Sequence, residues 1–356
     1  MKKCYLTAAA ILLCILSGCG KNMSNGTETT AADKNMTNPV QAVSAAAVLP
    51  DGTGTEDRTG ETGDKSPAVY VTTDISPEGL KKVYDALGRN LTGNVAVKLS
   101  TGEAGGNYYL SPDLIKNLVQ GVNGTIVECN TAYGGSRSST AMHRQVAEDH
   151  GFTAIAKVDI MDENGSMSIP VTGGKNLTED LVGENLKNYD SMMVLSHFKG
   201  HSMGGFGGAV KNISIGIGSA EGKLLIHSGG KSRSSWGGAT QEQFLESMAE
   251  AAGAVIDYMG EENMLYISVM NNLSVDCDCD SSPAEPDMHD IGILASLDPV
   301  ALDQACVDLV YEAPDGDSLI RRIESRNGIH TLEHAENIGV GSRGYELISV
   351  DFTVSQ

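Results

Sequence analysis

The chain has 356 residues, with 46 acidic against 25 basic side chains and a formal net charge of −21. No basic stripe able to neutralise phosphates runs through it, which excludes nucleic acid as a partner. Once a leader and tether are set aside, the remaining length is near the upper limit for one hydrophobic core, so one large domain or two packed lobes are both open.

At the N-terminus, Lys2 and Lys3 precede an apolar run from Leu6 to Leu16, too short to span a bilayer. It ends in Leu16-Ser17-Gly18-Cys19, which resembles the lipobox of bacterial lipoproteins. That resemblance implies cleavage after residue 18, acylation of Cys19, and an extracytoplasmic protein held to the cell membrane by a lipid anchor. Residues 20–66 lack periodicity and large apolar side chains and read as a disordered tether. The expected α/β domain then occupies residues 67–356. With Cys4, Cys14 and Cys19 set aside, Cys129, Cys277, Cys279 and Cys306 remain, too few and too scattered for a disulfide scaffold.

Within that domain, short β-rich runs alternate with capped helices. Strands are expected at 69–72, 95–99, 126–129, 154–160, 192–195, 265–270, 291–295 and 347–352. Helices open at Ser76-Pro77-Glu78, at Ser111-Pro112-Asp113, at Ser139 and at Asp298-Pro299, with polar caps followed in three cases by proline in the first turn. A long amphipathic helix is expected over 241–259, with Phe244, Met248, Ala251, Val255 and Tyr258 on one side. This alternation predicts Rossmann-like βαβ units and a mainly parallel sheet with flanking helices.

The stretch from Leu195 to Gly218 places His197, His201, Lys199 and Lys211 in a glycine-rich run after an apolar strand. In open α/β sheets, binding crevices form at the carboxyl ends of strands. His197 and His201, four apart, are candidate metal ligands. So are Cys277 and Cys279, whose neighbours Asp276, Asp278 and Asp280 disfavour free thiolates unless a cation is present. The same two thiols are also close enough to form a disulfide. Gly134-Gly135-Ser136-Arg137 ahead of a helix start suits an anion, with Lys98, Arg137 and His143 as candidate anion- or substrate-binding residues.

Five ordered motifs carry a family resemblance: Val95 to Lys98 with Gly102-Glu103; Asn130 to Arg137; His197 through Gly218; Asp276-Cys-Asp-Cys-Asp280; and Asp290 through Ala305. Together they resemble the uncharacterised family numbered 362 among domains of unknown function. Its members are often described as iron–sulfur centre proteins, and many carry a ferredoxin module with Cys-x-x-Cys-x-x-Cys spacing, a run absent from this sequence. The resemblance implies an α/β fold and a metal ion or Fe–S cluster, here on His197, His201, Cys277 and Cys279, with a small molecule or redox partner.

Separately, the spacing of His201, Lys211 and His227 is similar to a segment of the nickel-pincer lactate racemase family. There the first His is an acid/base, the Lys tethers a pincer nucleotide and the later His ligates nickel. This implies His201 and Lys211 as catalytic residues and His227 as a metal ligand in an isomerase or racemase of small hydroxy or amino acids. A non-catalytic solute-binding lipoprotein is the third expectation.

Overall fold

The computed structural model describes residues 66–351. The signal segment, Cys19 and most of the tether lie outside the described residues. Twelve strands run in chain order: β1 (Ala68–Thr72), β2 (Val95–Lys98), β3 (Thr125–Glu128), β4 (Val158–Ile160), β5 (Ser166–Pro170), β6 (Glu179–Gly183), β7 (Ser191–His197), β8 (Lys199–His201), β9 (Gly205–Gly207), β10 (Met264–Met270), β11 (Gly292–Ser296) and β12 (Glu346–Ser349). The α-helices are α1 (Pro77–Ala86), α2 (Pro112–Gly121), α3 (Thr140–Asp149), α4 (Ala209–Ile213), α5 (Ala220–His227), α6 (Gln241–Met259), α7 (Pro299–Glu312), α8 (Asp317–Ser325) and α9 (His330–Asn337).

One eight-stranded sheet, ordered β12-β1-β11-β10-β7-β2-β3-β4, forms the centre of the fold. All neighbours pair in parallel except those of β11, which runs antiparallel to both β1 and β10. The expected α/β fold with a mainly parallel sheet is therefore the fold, built on one large sheet with two two-stranded hairpins beside it.

The strands are continuously apolar because both faces are covered. Met192 and Val194 point into one core, with α4, α6, α7 and α9, while Met193 and Leu195 point into the other, with α1, α2 and α3. Alternation at period two thus divides one strand between two cores. The helices end as their sequences dictate. Ser76 accepts from Gly79 N, Asp298 accepts from Val300 N and Ala301 N, and Thr240 with Gln243 closes a capping box on α6.

The sequence reading departs from the structure in a few places. The expected strand 154–160 begins only at Val158, because Gly151, at φ 85°, starts a 3₁₀ turn over Phe152–Ala154. The hairpins β5–β6 and β8–β9 are too short to show a period, and the second lies inside the glycine-rich run. No helix of the described residues is long and apolar enough to cross a membrane.

Candidate active site

β2, β3, β7 and β10 lie side by side and parallel, so their carboxyl ends open on one edge. A cavity of about 670 Å³ sits there, lined by residues from all four strand exits. Lys98 ends β2, Glu128 ends β3, His197 ends β7, and the Asp276–Asp280 turn follows β10. The glycine-rich run reaches the same cavity through His201, Lys211 and Asn212, and α5 through Lys223 and His227. The glycine loop and the acidic cysteine turn, far apart in sequence, therefore converge. Gly200 makes this approach feasible: its N–H donates to Ser274 O at 2.8 Å, and a β-carbon there would stand 2.3 Å from Val275 O.

Ion pairs build the wall. Arg137 is buried and donates to Glu103 Oε2 and Glu128 Oε1, each at 3.2 Å, while His143 Nε2 lies 2.9 Å from Glu128 Oε2. Burial alone would raise the Glu128 carboxyl, but Arg137 and His143 outweigh it and hold it well below the usual carboxylate range. Arg137 reaches the cavity surface with its charge already compensated. His143 is fully buried behind Glu128 and does not line the cavity, which corrects its assignment as a substrate contact.

A second network corrects His197. Its Nδ1 faces Asp278 Oδ2 at 3.0 Å and its Nε2 faces the Asn271 carbonyl at 2.7 Å. A nitrogen facing a carbonyl must donate, and the other faces a carboxylate, so neither offers a lone pair to a metal. Lys199 Nζ completes the group, 3.1 Å from Asp278 Oδ1. Burial opposes the Asp278 charge, yet His197 and Lys199 hold its carboxyl below the ordinary value.

The remaining two histidines are set in opposite tautomers. His201 Nδ1 accepts from Gly204 N at 2.8 Å and from Met203 N at 3.3 Å, so its proton resides on Nε2. Burial first, then the charges of Lys211 and His227, holds the imidazole neutral, well below its usual pKa. His227 is the reverse: Nδ1 donates to Lys223 O at 2.6 Å, which leaves the Nε2 lone pair free. Burial is the main cause that pushes its pKa down to about 4, with Phe244 stacked on one face at 4.7 Å and Trp236 edge-on at 4.8 Å. Between them chemically stands Lys211, pushed down to about 8 by burial and by Arg137.

His201, Cys277 and Cys279 present ligand atoms within 4.8 Å of one another, a spacing that fits a metal ion. Two features of the donors oppose it. Cys277 and Cys279 are joined as a disulfide, and a disulfide offers no thiolate. His201 Nδ1 is an acceptor of backbone N–H groups, so Nε2 carries the proton, whereas a metal-bound histidine donates through its second nitrogen. The four-thiolate set of a cluster is also lacking among the described residues: Cys306 is buried away from the cavity, Cys129 reaches it but donates its thiol to Ile217 O at 3.2 Å, and burial raises both thiols.

Sequence reasoning missed Lys223 and Glu128, and it placed Lys199 and Glu103 within motifs without giving either a role. The available signal was a charged residue interrupting an apolar run, as in Val127-Glu128-Cys129 and Lys223-Leu-Leu-Ile226.

The fold and this edge define an α/β protein with a histidine- and lysine-lined cavity at the carboxyl ends of a parallel sheet. Its sequence belongs to the family described as Domain of unknown function (DUF362), whose model matches residues 95–308. No curated protein matches it. Among solved structures, the chain is similar to the lactate racemase apoprotein from Thermoanaerobacterium thermosaccharolyticum, at 13% identity and a TM-score of 0.39, over 70% of this chain and 58% of that one. It is also similar to a protein from Thermotoga maritima, at 12% identity and a TM-score of 0.36, over 73% of this chain and 58% of that one. The chain thus spans less than two thirds of the length of either structure.

Proposed function

We propose that the chain is an isomerase acting on a small hydroxy or amino acid by proton transfer at the carbon beside the carboxyl group. The observation that carries this reading is the pair of opposite tautomers at one cavity, His201 presenting N–H and His227 presenting a lone pair, with the lysine of lowered pKa beside them.

The neutral amine of Lys211 takes the proton from carbon, and the electron pair left behind moves into the carboxyl group. The developing oxyanion receives the Nε2–H of His201. A neutral imidazole suits that role, because it donates without delivering a full charge. His227 Nε2 accepts from the substrate's hydroxyl or ammonium group and so fixes which carbon faces Lys211. The planar intermediate then turns its opposite face to the Lys211 ammonium, which returns a proton there to give the inverted product; return to the first face gives exchange alone, and in both cases all charges are restored. A lysine lowered towards neutral pH is suited to act as a base.

The test is isotope exchange. Small 2-hydroxy and 2-amino acids incubated with the protein in D₂O should gain deuterium at carbon 2, followed by proton NMR. Lys211→Ala should abolish the exchange. Absence of exchange across both classes with the folded protein would overturn the reading.

A second reading, a soft cation on reduced Cys277 and Cys279 with His201, is favoured by the 4.8 Å convergence of those groups. It requires reduction of the disulfide and release of His201 Nδ1 from Gly204. Metal content after anaerobic reduction and reconstitution, compared between the unmodified chain and Cys277→Ser, tests it. We further infer a lipid-anchored, extracytoplasmic protein from residues 1–19. A Cys19→Ala chain that is still processed and still sediments with membranes would refute this.

A further inference from the structure

Lys98, Lys211 and Lys223 line the cavity floor, and among the described residues none of them has a carboxylate within ion-pairing distance. Of the carboxylates lining the cavity, Glu103 and Glu128 pair with Arg137, Asp278 with His197 and Lys199, and Asp276 with Arg322, while Asp280 is exposed to solvent. Lys98 and Lys223 are more than nine-tenths buried. Each ammonium carries three donors. Lys98 Nζ uses two, on Leu99 O at 2.6 Å and Asn212 Oδ1 at 3.0 Å; Lys223 Nζ uses one, on Gly218 O at 2.5 Å. Donors on both are left over, and Lys211 Nζ has no hydrogen-bond partner among the described residues.

Burying an unpaired charge is expensive, and proteins ordinarily pair it or bind something that does. Here three like charges share one cavity of a chain that is otherwise strongly acidic. After burial, Lys223 and Lys211 lower the basicity of Lys98, and Arg137 and Lys223 lower that of Lys211. An acidic exterior does not attract anions, so the cationic floor has no role in solubility.

We propose that Lys98, Lys211 and Lys223 form a binding site for a multiply charged oxyanion, a phosphate ester or polycarboxylate, that neutralises this floor. The cavity is large enough for an organic body beyond the anionic group. The geometry relocates anion binding from the glycine turn at 134–137, where Arg137 is already compensated, to residues from β2, α4 and α5. The site does not depend on the proton-transfer reading, because a non-reactive oxyanion fills it without chemistry.

The experiment uses the full chain exchanged into chloride buffer free of oxyanions, with pyrophosphate and malonate as probes. Melting temperature and calorimetric affinity are read for the unmodified chain, Lys98→Met and Lys223→Met. The unmodified chain is expected to melt higher with at least one probe, since a ligand binding only the folded state stabilises it. Each substitution is expected to weaken that probe roughly tenfold or more, the scale of one charge-assisted hydrogen bond. Each is also expected to raise the melting temperature without probe, because methionine removes an unpaired buried charge. A lysine held for structure would do the opposite. No stabilisation of the unmodified chain by either probe up to ~10 mM, a concentration that still registers millimolar affinity, would overturn the proposal. So would unchanged affinity in both variants, or a fall in their melting temperature without probe.

Discussion

Asp303 on α7 caps the short helix that carries Lys211. Its Oδ1 accepts from Ala209 N at 2.7 Å and its Oδ2 from Val210 N at 3.0 Å. Gly208, just before, lies so close that a β-carbon would meet Asp303 Oδ1 at 2.2 Å. A buried carboxyl from the far end of the chain thus sets the position of the cavity's lysine. Burial pushes that carboxyl up to about 7, against the two backbone hydrogen bonds. In the unfolded chain it titrates near ~3.9, so between these values only the folded state holds the proton. Stability therefore falls as pH rises through this window, with a slope of up to ~1.4 kcal/mol per pH unit from this group. Asp303→Asn should flatten that dependence, and denaturant titrations at pH 4, 5.5 and 7 check it.

Glu128 anchors the cavity wall through Arg137, His143 and Thr101 N. Glu128→Gln removes one partner of a buried ion pair and leaves a buried guanidinium partly uncompensated, a loss of about 3–5 kcal/mol. Because the folded carboxyl is depressed, its stabilising contribution is fully present above the ordinary carboxylate value and fades as pH drops below it. The variant should accordingly lose most at neutral pH and converge on the unmodified chain in acid, as measured by urea unfolding at both ends.

The tautomers of His201 and His227 are directly observable. Nitrogen-15 shifts of the two side chains at neutral pH should show the proton on Nε2 of His201 and on Nδ1 of His227. The same tautomer on both rings would remove the donor–acceptor complementarity on which the proton-transfer mechanism depends.

Lys211 gives a rate signature. A base with a pKa of about 8 in the free protein makes isotope exchange rise with pH through that value and level off above it. Binding of an anionic substrate would shift the midpoint upward, since it offsets the charges that depress the amine. Lys211→Arg, charged at every accessible pH, should be inactive throughout; exchange at an undiminished rate in that variant would assign the base elsewhere.

Much of the fold was legible because its signals are local. Continuous apolar strands, Ser-Pro and Asp-Pro helix starts, and a capping box each act within a few residues. The location of the site was legible for the same reason: glycines and titratable residues cluster after strands. Roles were not. His197 and His201 look equivalent in sequence, yet one is occupied by Asp278 and Asn271 and the other by two backbone N–H groups, partners that only tertiary structure supplies. Arg137 and His143 suggest an anion site until Glu128, at the end of β3, is seen to take both. Lys223 hides in an apolar helix whose period conceals that it faces a cavity.

The single reversed strand gives the loop that carries the acidic cysteine turn an unusual independence. Met270 and Gly292 are register partners, so the chain leaves the sheet after β10 and returns on β11 at the same rung and the same edge. Residues 271–291 therefore never cross the sheet and contribute nothing to its strand order. Leu273 and Met288 pack in the core and Asp278 holds His197 and Lys199, so it is the largely exposed stretch 280–287 whose length and composition can drift without disturbing how the strands associate. That stretch of the cavity rim is in this sense an interchangeable part, and the lysine-bearing floor is the fixture it closes over.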